Sequence, residues 1–283
     1  MREDVTFNSA DARPPIRRYR TIFISDLHLG SPGCKAECLH DFLRHVESEY
    51  LYLVGDVVDG WRLSKRWFWP QRHDEILHGL LARARRGTAV VYLPGNHDEA
   101  LRKLIGRTLG GVRFLHDVIH RTADGRRLLV THGDAFDGVC KDMRWLALLG
   151  SLAYDAALAV NTGVNHVRRR LGLGYWPLSA FLKAQVKAAV NFIERYEHAL
   201  AAEARRRRVT GVVCGHVHKP EMRIIEGVQY FNDGDWVESC SALVEHMDGR
   251  LELLHWAEQR QFDLLTWRRP VSAHRAGKAA VAA

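Results

Sequence analysis

The chain has 283 residues, a formal net charge of +8, 47% hydrophobic residues and 26% charged residues. This length suits one large α/β domain, or one domain with an insertion, and the composition is that of a globular protein. No stretch reaches the roughly 20 uninterrupted apolar residues of a membrane span, and the N-terminus lacks the apolar core of a signal peptide.

The positive charge is concentrated at residues 168–170 and 205–208. A nucleic acid, an anionic membrane surface or a phosphorylated substrate would explain it, and so would solvated helix faces. The five cysteines show no CxxC spacing, which predicts reduced thiols rather than a disulfide framework. We therefore expect the protein to reside inside the cell.

The first half of the chain alternates apolar runs with helical patterns. Residues 1–18 are polar and contain two prolines, which predicts a disordered leader. Periodicity and turn residues then predict strands and helices in alternation, the pattern of an α/β fold. The strands are predicted at 19–25, 50–54 and 88–93, and the helices at 36–48 and 73–86.

A tryptophan-rich loop follows the second predicted strand. It contains Trp61, Trp67, Phe68 and Trp69 within ten residues. Local core packing is one explanation, and an apolar rim for a substrate or a membrane is another.

The second half begins with two predicted strands joined by a turn at Asp124-Gly125. Residues 140–207 are rich in Leu, Ala and Arg, and they predict a helical insertion of two or three helices. Several short runs separated by glycine turns then predict strands, the later ones in an antiparallel sheet. These runs are 209–214, 222–225, 228–231, 237–245 and 251–256. Residues 258–283 are predicted to be a flexible tail.

Metal-capable side chains follow five of the predicted strands. They are Asp26, His28, Asp56, Asn96, His132, His216 and His218. Oxygen and nitrogen ligands without thiolate favour Mn, Fe, Zn or Co over Ca or Mg. Asp56 lies in the middle of the set and could bridge two cations about 3.5–4 Å apart. The first cation would take Asp26, His28, Asp56 and His218, and the second Asp56, Asn96, His132 and His216.

His97 follows Asn96 directly, and we interpret it as the catalytic residue. Its imidazole would protonate a leaving oxygen or donate to a developing phosphoryl charge. A lone Asp-x-His or His-x-His at a strand end is usually accidental. Five such groups, each at a strand terminus, indicate a two-metal site.

These groups resemble the five signature blocks of the calcineurin-like metallophosphoesterases. The blocks are Asp26-Leu-His28, Gly55-Asp56-Val-Val-Asp59, Gly95-Asn96-His97-Asp98, His132-Gly133-Asp134 and Gly215-His216-Val-His218. The resemblance covers about residues 20 to 257 and implies one domain over 19–257. It implies a four-layer sandwich of two mixed sheets packed face to face with helices outside, and hydrolysis of a phosphoester or phosphoanhydride.

Within that superfamily the chain is most similar to the UDP-2,3-diacylglucosamine diphosphatase family. The tryptophan-rich loop, the helical insertion and Gly234-Asp235-Trp236 carry this likeness. It implies release of UMP from a UDP-linked acylated sugar in lipid A synthesis, with two Mn²⁺ ions, at the inner face of the cytoplasmic membrane as a peripheral protein. Substrate contacts are expected from Asn96, His97, Lys183, Lys187 and His216.

The chain departs from this branch at His97, where well-known members carry Arg. Another phosphodiesterase or pyrophosphatase acting on a nucleotide-linked substrate is therefore the alternative. A nuclease is a further rival, but no base-stacking element accompanies the arginines, and no nucleic-acid partner is expected. A purely protein-binding scaffold predicts missing ligands, and none is missing. The oligomeric state stays open.

Overall fold

The computed structural model describes residues 16–139 and 178–262, which form two β-sheets with helices on their outer faces. The strands are β1 Arg17–Ile24, β2 Val46–Leu53, β3 Ala89–Tyr92, β4 Thr108–Leu109, β5 Val112–Phe114, β6 Val118–Arg121, β7 Arg127–Val130, β8 Gly211–Cys214, β9 Glu221–Ile225, β10 Val228–Asn232, β11 Ser241–Glu245 and β12 Leu251–His255. The helices are α1 Ala36–His45, α2 Gly60–Lys65, α3 Gln71–Arg85, α4 Leu178–Arg206 and α5 Trp256–Gln259, with short 3-10 helices at Glu99–Leu104 and Asp134–Val139.

Both sheets are mixed. The larger has seven strands in the order β12-β11-β1-β2-β3-β5-β4, and the smaller has five in the order β6-β7-β8-β10-β9. Parallel pairs occupy the middle of each sheet and antiparallel pairs the edges. The predicted C-terminal antiparallel sheet is wrong, because its strands are divided. β9 and β10 pair in the smaller sheet, whereas β11 and β12 pair in the larger.

The two sheets pack face to face. Phe23 and Val91 of the larger sheet share one apolar cluster with Val130 and Val213 of the smaller sheet. α1 and α3 cover the outer face of the larger sheet, where Phe42 is buried, and α4 covers the outer face of the smaller sheet. The order helix, sheet, sheet, helix confirms the predicted four-layer sandwich.

Burial on both faces explains the unbroken apolar run of β1. Ile22 and Ile24 face the cluster beneath the helices, and Phe23 faces the other sheet. A strand covered on both sides has no solvated face, so its sequence does not alternate.

Several predicted boundaries shift. β1 begins at Arg17, so residues 17 and 18 belong to the sheet rather than to the predicted leader. α1 ends at His45, three residues early, because Val46 already pairs with Arg17 across β1 and β2. The tryptophan-rich loop begins with a helix, α2, whose first turn is capped by the Asp59 side chain.

Residues 1–15, 140–177 and 263–283 lie outside the described residues. These ranges contain most of the predicted leader, the first part of the predicted insertion and most of the predicted tail. The remainder of the insertion is α4, whose residues Tyr196, Leu200 and Ala204 are buried against the smaller sheet. Phe262, near the start of the predicted tail, is buried in the core. Among the described helices, none combines the length and the hydropathy that a bilayer span needs.

A buried carboxylate fastens the two sheets together at one end. Glu245 of β11 accepts hydrogen bonds from Thr21 Oγ1 at 2.6 Å and from the Ala123 backbone at 2.7 Å. Its carboxylate also lies 2.9 Å from Arg20 Nη1 and 2.8 Å from His120 Nε2. Because His120 and Ala123 belong to the smaller sheet and its hairpin, Glu245 connects both layers.

The basic run at the end of α4 is paired within the protein. Arg206 and Arg207 each lie 2.6 Å from Glu203, and Arg205 forms an ion pair with Glu226. Arg207 also pairs with Asp117. These ion pairs favour the interpretation of this basic run as a solvated helix face.

Candidate metal centre

The seven predicted ligands lie at the carboxyl ends of five strands. Parallel strands present their carboxyl ends at one edge, and β1, β2 and β3 are parallel in the larger sheet, as are β7 and β8 in the smaller. The loops after these strands carry the ligands. A hydrogen bond of 2.9 Å from the His216 backbone to Asp26 Oδ2 joins the rims of the two sheets.

The first cluster contains Asp26, His28 and His218. Asp26 Oδ1 lies 3.1 Å from His218 Nε2 and 3.8 Å from His28 Nε2, and the two imidazole nitrogens are 3.4 Å apart. Three ligand atoms thus converge on one point, in a geometry that suits a divalent cation.

The second cluster contains Asp56, His132 and His216. His132 Nε2 lies 3.4 Å from Asp56 Oδ2, and the rings of His132 and His216 are 5.1 Å apart. His132 Nδ1 donates to the Val54 carbonyl at 2.8 Å, which leaves the Nε2 lone pair facing Asp56.

Several buried atoms in and around the centre lack a hydrogen-bond partner among the described residues. Asp26 Oδ1, Asn96 Oδ1 and His132 Nε2 are three of them. Each such atom would cost about 1–3 kcal/mol if it stayed unsatisfied. All three belong to predicted ligands and all can donate a lone pair, so the residues fit divalent cations. The bridging position of Asp56 stays a prediction.

The backbone is left-handed at five of the seven ligands. The φ angles are positive at Asp26 (52°), His28 (49°), Asp56 (52°), His216 (69°) and His218 (54°). Residues with side chains rarely adopt this region, at a cost of about 1–3 kcal/mol each. Such strain clusters at functional sites, where the surrounding structure enforces it.

Two glycines let the loops approach the ligands closely. A Cβ on Gly95 would lie 2.3 Å from Asp56 Oδ1 and 2.7 Å from His132 Nε2. A Cβ on Gly215 would lie 2.5 Å from Asp26 Oδ2. Larger residues at these positions would displace the ligands themselves.

Opposite charges perturb the ionisation of the clusters. Burial alone would lower the pKa of His28, but the neighbouring carboxylates of Asp26 and Asp59, each 3.8 Å away, raise that pKa to about 10. Burial alone would raise the pKa of Asp56, but the charge of His132 holds it below its ordinary value. The carboxylates therefore create a field that favours positive charge, as a cation site requires.

His97 lies beside the second cluster and is oriented by Asp59. Its Nδ1 donates to Asp59 Oδ1 at 3.0 Å, and its Nε2 lies 4.0 Å from Asp56 Oδ2. Asp59 Oδ2 also lies 3.8 Å from His28 Nδ1. The Trp61 ring packs on the His97 ring at a centroid distance of 4.2 Å. Asp59 thus stands where it can orient both rings.

Some orienting residues were not identified from the sequence. Asp235 Oδ2 lies 3.6 Å from His218 Nδ1, and Asp235 Oδ1 accepts from the Val237 backbone at 2.7 Å. Ser25 Oγ lies 2.6 Å from Asp26 Oδ2 and 2.6 Å from Asp233. Gly234-Asp235-Trp236 is a motif in the sequence, but only the fold shows that Asp235 faces His218.

Two further carboxylates of the signature blocks, Asp98 and Asp134, form contacts away from the ligand histidines. Asp98 accepts hydrogen bonds from Tyr92 Oη at 2.5 Å and the Gly95 backbone at 2.6 Å, while Asp134 pairs with Arg102. Asp98 therefore shapes the loop that presents Asn96.

Of the two predicted substrate lysines, the structure describes the side chain of Lys187 alone, and it does not bring that side chain into the clusters. The Lys183 side chain lies outside the described part of the chain, and Lys187 is exposed on α4. Tyr196 of the same helix approaches the His132 carbonyl at 3.4 Å. Lys187 is nine residues before Tyr196, or about 13 Å along the helix axis.

Carboxylate and imidazole clusters on the rim of a two-sheet sandwich could hold the metal ions of a metal-dependent hydrolase. The sequence profile of the calcineurin-like phosphoesterases matches residues 19–220, so the chain belongs to this family. Members use divalent metals to hydrolyse phosphoesters.

Similar proteins include UDP-2,3-diacylglucosamine hydrolases. The one from Shewanella baltica (strain OS195) is 24% identical over 243 residues, covering 81% of this chain and 95% of the relative. The one from Xanthomonas campestris pv. campestris (strain B100) is 28% identical over 256 residues, covering 81% and 96%.

Similar solved structures include a phosphoesterase from E. coli. Its TM-score is 0.40 at 14% identity, covering 83% of this chain and 98% of that chain. The phosphopantetheinyl hydrolase of Mycobacterium tuberculosis has a TM-score of 0.36 at 16% identity, covering 90% and 96%.

Proposed function

We propose that the protein hydrolyses the phosphoanhydride of UDP-2,3-diacylglucosamine, yielding UMP and 2,3-diacylglucosamine 1-phosphate in lipid A biosynthesis. The observation that carries the proposal is the pair of adjoining cation clusters, because two cations can hold both phosphates of one substrate. The substrate class is supported by the relatives, whose names specify this UDP-linked sugar.

Two Mn²⁺ ions are the proposed cofactors. The residues that would hold them are Asp26, His28, Asp56 and His218 for one, and Asp56, Asn96, His132 and His216 for the other. When bound, such cations polarise phosphoryl oxygens and neutralise their charge.

His97 moves the proton in this proposal. With Nδ1 held by the Asp59 carboxylate, an imidazolium at His97 carries its second proton on Nε2. That nitrogen would donate to the oxygen that bridges the two phosphates as water adds to one phosphorus and the bond from that phosphorus to the bridging oxygen breaks. Asp59 stabilises the charged ring, and Trp61 holds the plane of the ring.

Asn96, His97 and His216 would contact the phosphates at the scissile bond. The contact of Lys183 and Lys187 with the diphosphate stays a prediction from the sequence, and the remaining parts of the substrate would bind outside the clusters. The insertion would hold the acyl chains, and the protein would act as a peripheral protein on the inner face of the cytoplasmic membrane.

A second function is favoured by one residue. His97 stands where well-known enzymes of the lipid A branch carry Arg, so a different phosphodiesterase or pyrophosphatase on a nucleotide-linked substrate is the alternative. Both functions would use the same clusters and the same proton donor.

Product analysis tests the proposal. The Mn²⁺-loaded protein is incubated with UDP-2,3-diacylglucosamine and, separately, with bis-p-nitrophenyl phosphate, and UMP is measured in the first reaction. Efficient UMP release supports the lipid A function. Hydrolysis of the generic diester without UMP release would support the alternative, and hydrolysis of neither would refute both. His97→Ala serves as the control for contaminating activity.

A further inference from the structure

Residues 61–69 are both aromatic and basic, and they lie beside the metal centre. We call them the aromatic–basic segment. No acidic residue occurs anywhere in residues 60–73. The segment consists of most of α2 and the chain that leads to α3. Its cations are Arg62, Lys65 and Arg66, and its aromatic residues are Trp61, Trp67, Phe68 and Trp69.

The side of the segment that faces the protein packs against the ligand loops. Leu63 packs so closely on Gly30 that a Cβ there would lie 2.7 Å from Leu63 Cγ. The Trp69 ring lies 5.7 Å from the His73 ring, and His73 Nδ1 accepts from the Gly30 backbone at 2.9 Å. Gly30 follows the first ligand pair by two residues, so the segment has a fixed position next to the centre.

The outer side is exposed. Trp67 is 74% exposed, so core packing does not account for it, and Phe68 is 38% exposed although its ring lies 5.8 Å from the His73 ring. The Arg62 side chain is 63% exposed, and Lys65 and Arg66 are exposed as well. Neighbouring aromatic and basic side chains on one surface are typical of sites that contact a bilayer.

We propose that the aromatic–basic segment docks the protein on an anionic lipid bilayer. Trp67 and Phe68 would enter the interfacial region, where amphipathic aromatic rings are favoured. Arg62, Lys65 and Arg66 would lie against anionic headgroups. Residues 60–73 contain no carboxylate that would repel these headgroups, and Asp59, whose Oδ2 lies 3.8 Å from Arg62 Nε, is buried.

This inference deepens the membrane contact of the proposed function by assigning it to a surface. Trp61, at the start of the segment, packs on His97. Docking through the segment would therefore hold the metal centre at the bilayer surface. A phosphoanhydride on a lipid headgroup could reach the cations while its acyl chains stay close to the bilayer.

Vesicle sedimentation of the full chain tests the docking. The vesicles contain phosphatidylcholine alone, or phosphatidylcholine with about one third phosphatidylglycerol, enough to give an anionic surface. We expect binding to the anionic vesicles. Trp67→Ser should weaken it by about tenfold. The double variant Lys65→Gln, Arg66→Gln should weaken it by about thirtyfold, or roughly fivefold per cation.

Matched variants elsewhere control for general effects. Ile224 on β9 is 73% exposed, nearly as much as Trp67, so Ile224→Ser removes a comparable apolar side chain. Arg85→Gln with Arg86→Gln removes the same charge at the other end of α3. Both controls should bind within twofold of wild type. Equal losses in the controls, equal affinity for neutral vesicles, or a preference for single-stranded DNA would overturn the proposal.

The experiments can refute the docking proposal and the proposed substrate independently of each other. Vesicle binding that depends on Trp67 and on the two cations supports docking even if no UMP is released from UDP-2,3-diacylglucosamine. Vesicle binding that ignores these variants refutes docking even if UMP is released. Hydrolysis of bis-p-nitrophenyl phosphate should be unchanged in every variant, which shows that each one folds and binds metal.

Discussion

The Glu245 carboxylate offers a quantitative test of how the two sheets are held together. Glu245→Gln keeps the shape of the side chain and removes its charge. Burial alone would raise the pKa of Glu245, but hydrogen bonds from His120 and Thr21 lower it from 4.5 to about 2. Each pKa unit corresponds to about 1.4 kcal/mol, so the variant should lose about 3 kcal/mol of unfolding free energy at pH 7.

The effect of the substitution should depend on pH in a defined direction. The folded-state pKa of Glu245 is depressed, so its stabilisation is fully present above the unfolded-state value of about 4.5. This contribution is lost as the pH falls from about 4.5 towards about 2. At pH 3 the difference between wild type and variant should shrink to about 1.4 kcal/mol.

Urea unfolding of the metal-free proteins at pH 7 and pH 3 measures this difference. Glu252→Gln is the matched control, because Glu252 also lies next to a histidine and an arginine, His246 and Arg250, but at the surface. Its loss should stay below about 1 kcal/mol. Equal losses for the two variants, or a Glu245 effect that does not change with pH, would refute the reasoning.

The other predictions concern the metal centre. Asp56→Ala should abolish activity and deplete both cations, as metal content by mass spectrometry would show. His97→Ala should lower kcat by about 10²–10⁴-fold and leave the metal content unchanged. Asp235→Asn should weaken cation affinity by about 10–100-fold, because His218 loses its orienting carboxylate.

Each of these predictions has a contradicting outcome. A fully metallated, active Asp56→Ala protein would exclude a bridging role. Loss of metal from His97→Ala would make His97 a ligand rather than a proton donor. Unchanged cation affinity in Asp235→Asn, measured by competition with a chelator, would mean that the Asp235 contact does not orient His218.

The position of the ligands could be predicted from local patterns. The strand and helix pattern alone supports only an α/β fold, and the four-layer sandwich was implied by the resemblance to the metallophosphoesterases. Apolar runs that end in Asp, Asn or His place those side chains at strand ends, and parallel pairing then gathers Asp26, Asp56 and Asn96 at one edge. The division of the later strands between two sheets could not be predicted, because glycine turns look alike whichever sheet a strand joins.

Other features could not be predicted from the sequence because they depend on long-range contacts. The pairing of Arg207 with Asp117 spans 90 residues, so the sequence could not show this second partner of Arg207 beside the nearby Glu203. Asp235 and His218 are brought together only by the loop after β10. The sequence also could not show whether Trp67 is exposed, since an aromatic run is compatible with a core or with a surface.

The left-handed ligand loops have a consequence for how mutations would act. At His216, with φ of 69°, glycine would relax the backbone while removing a ligand. Such a variant should be more stable than wild type without metal and less stable with it. The protein therefore has strained backbone at residues that would hold the cations, and bound cations would offset the cost of that strain.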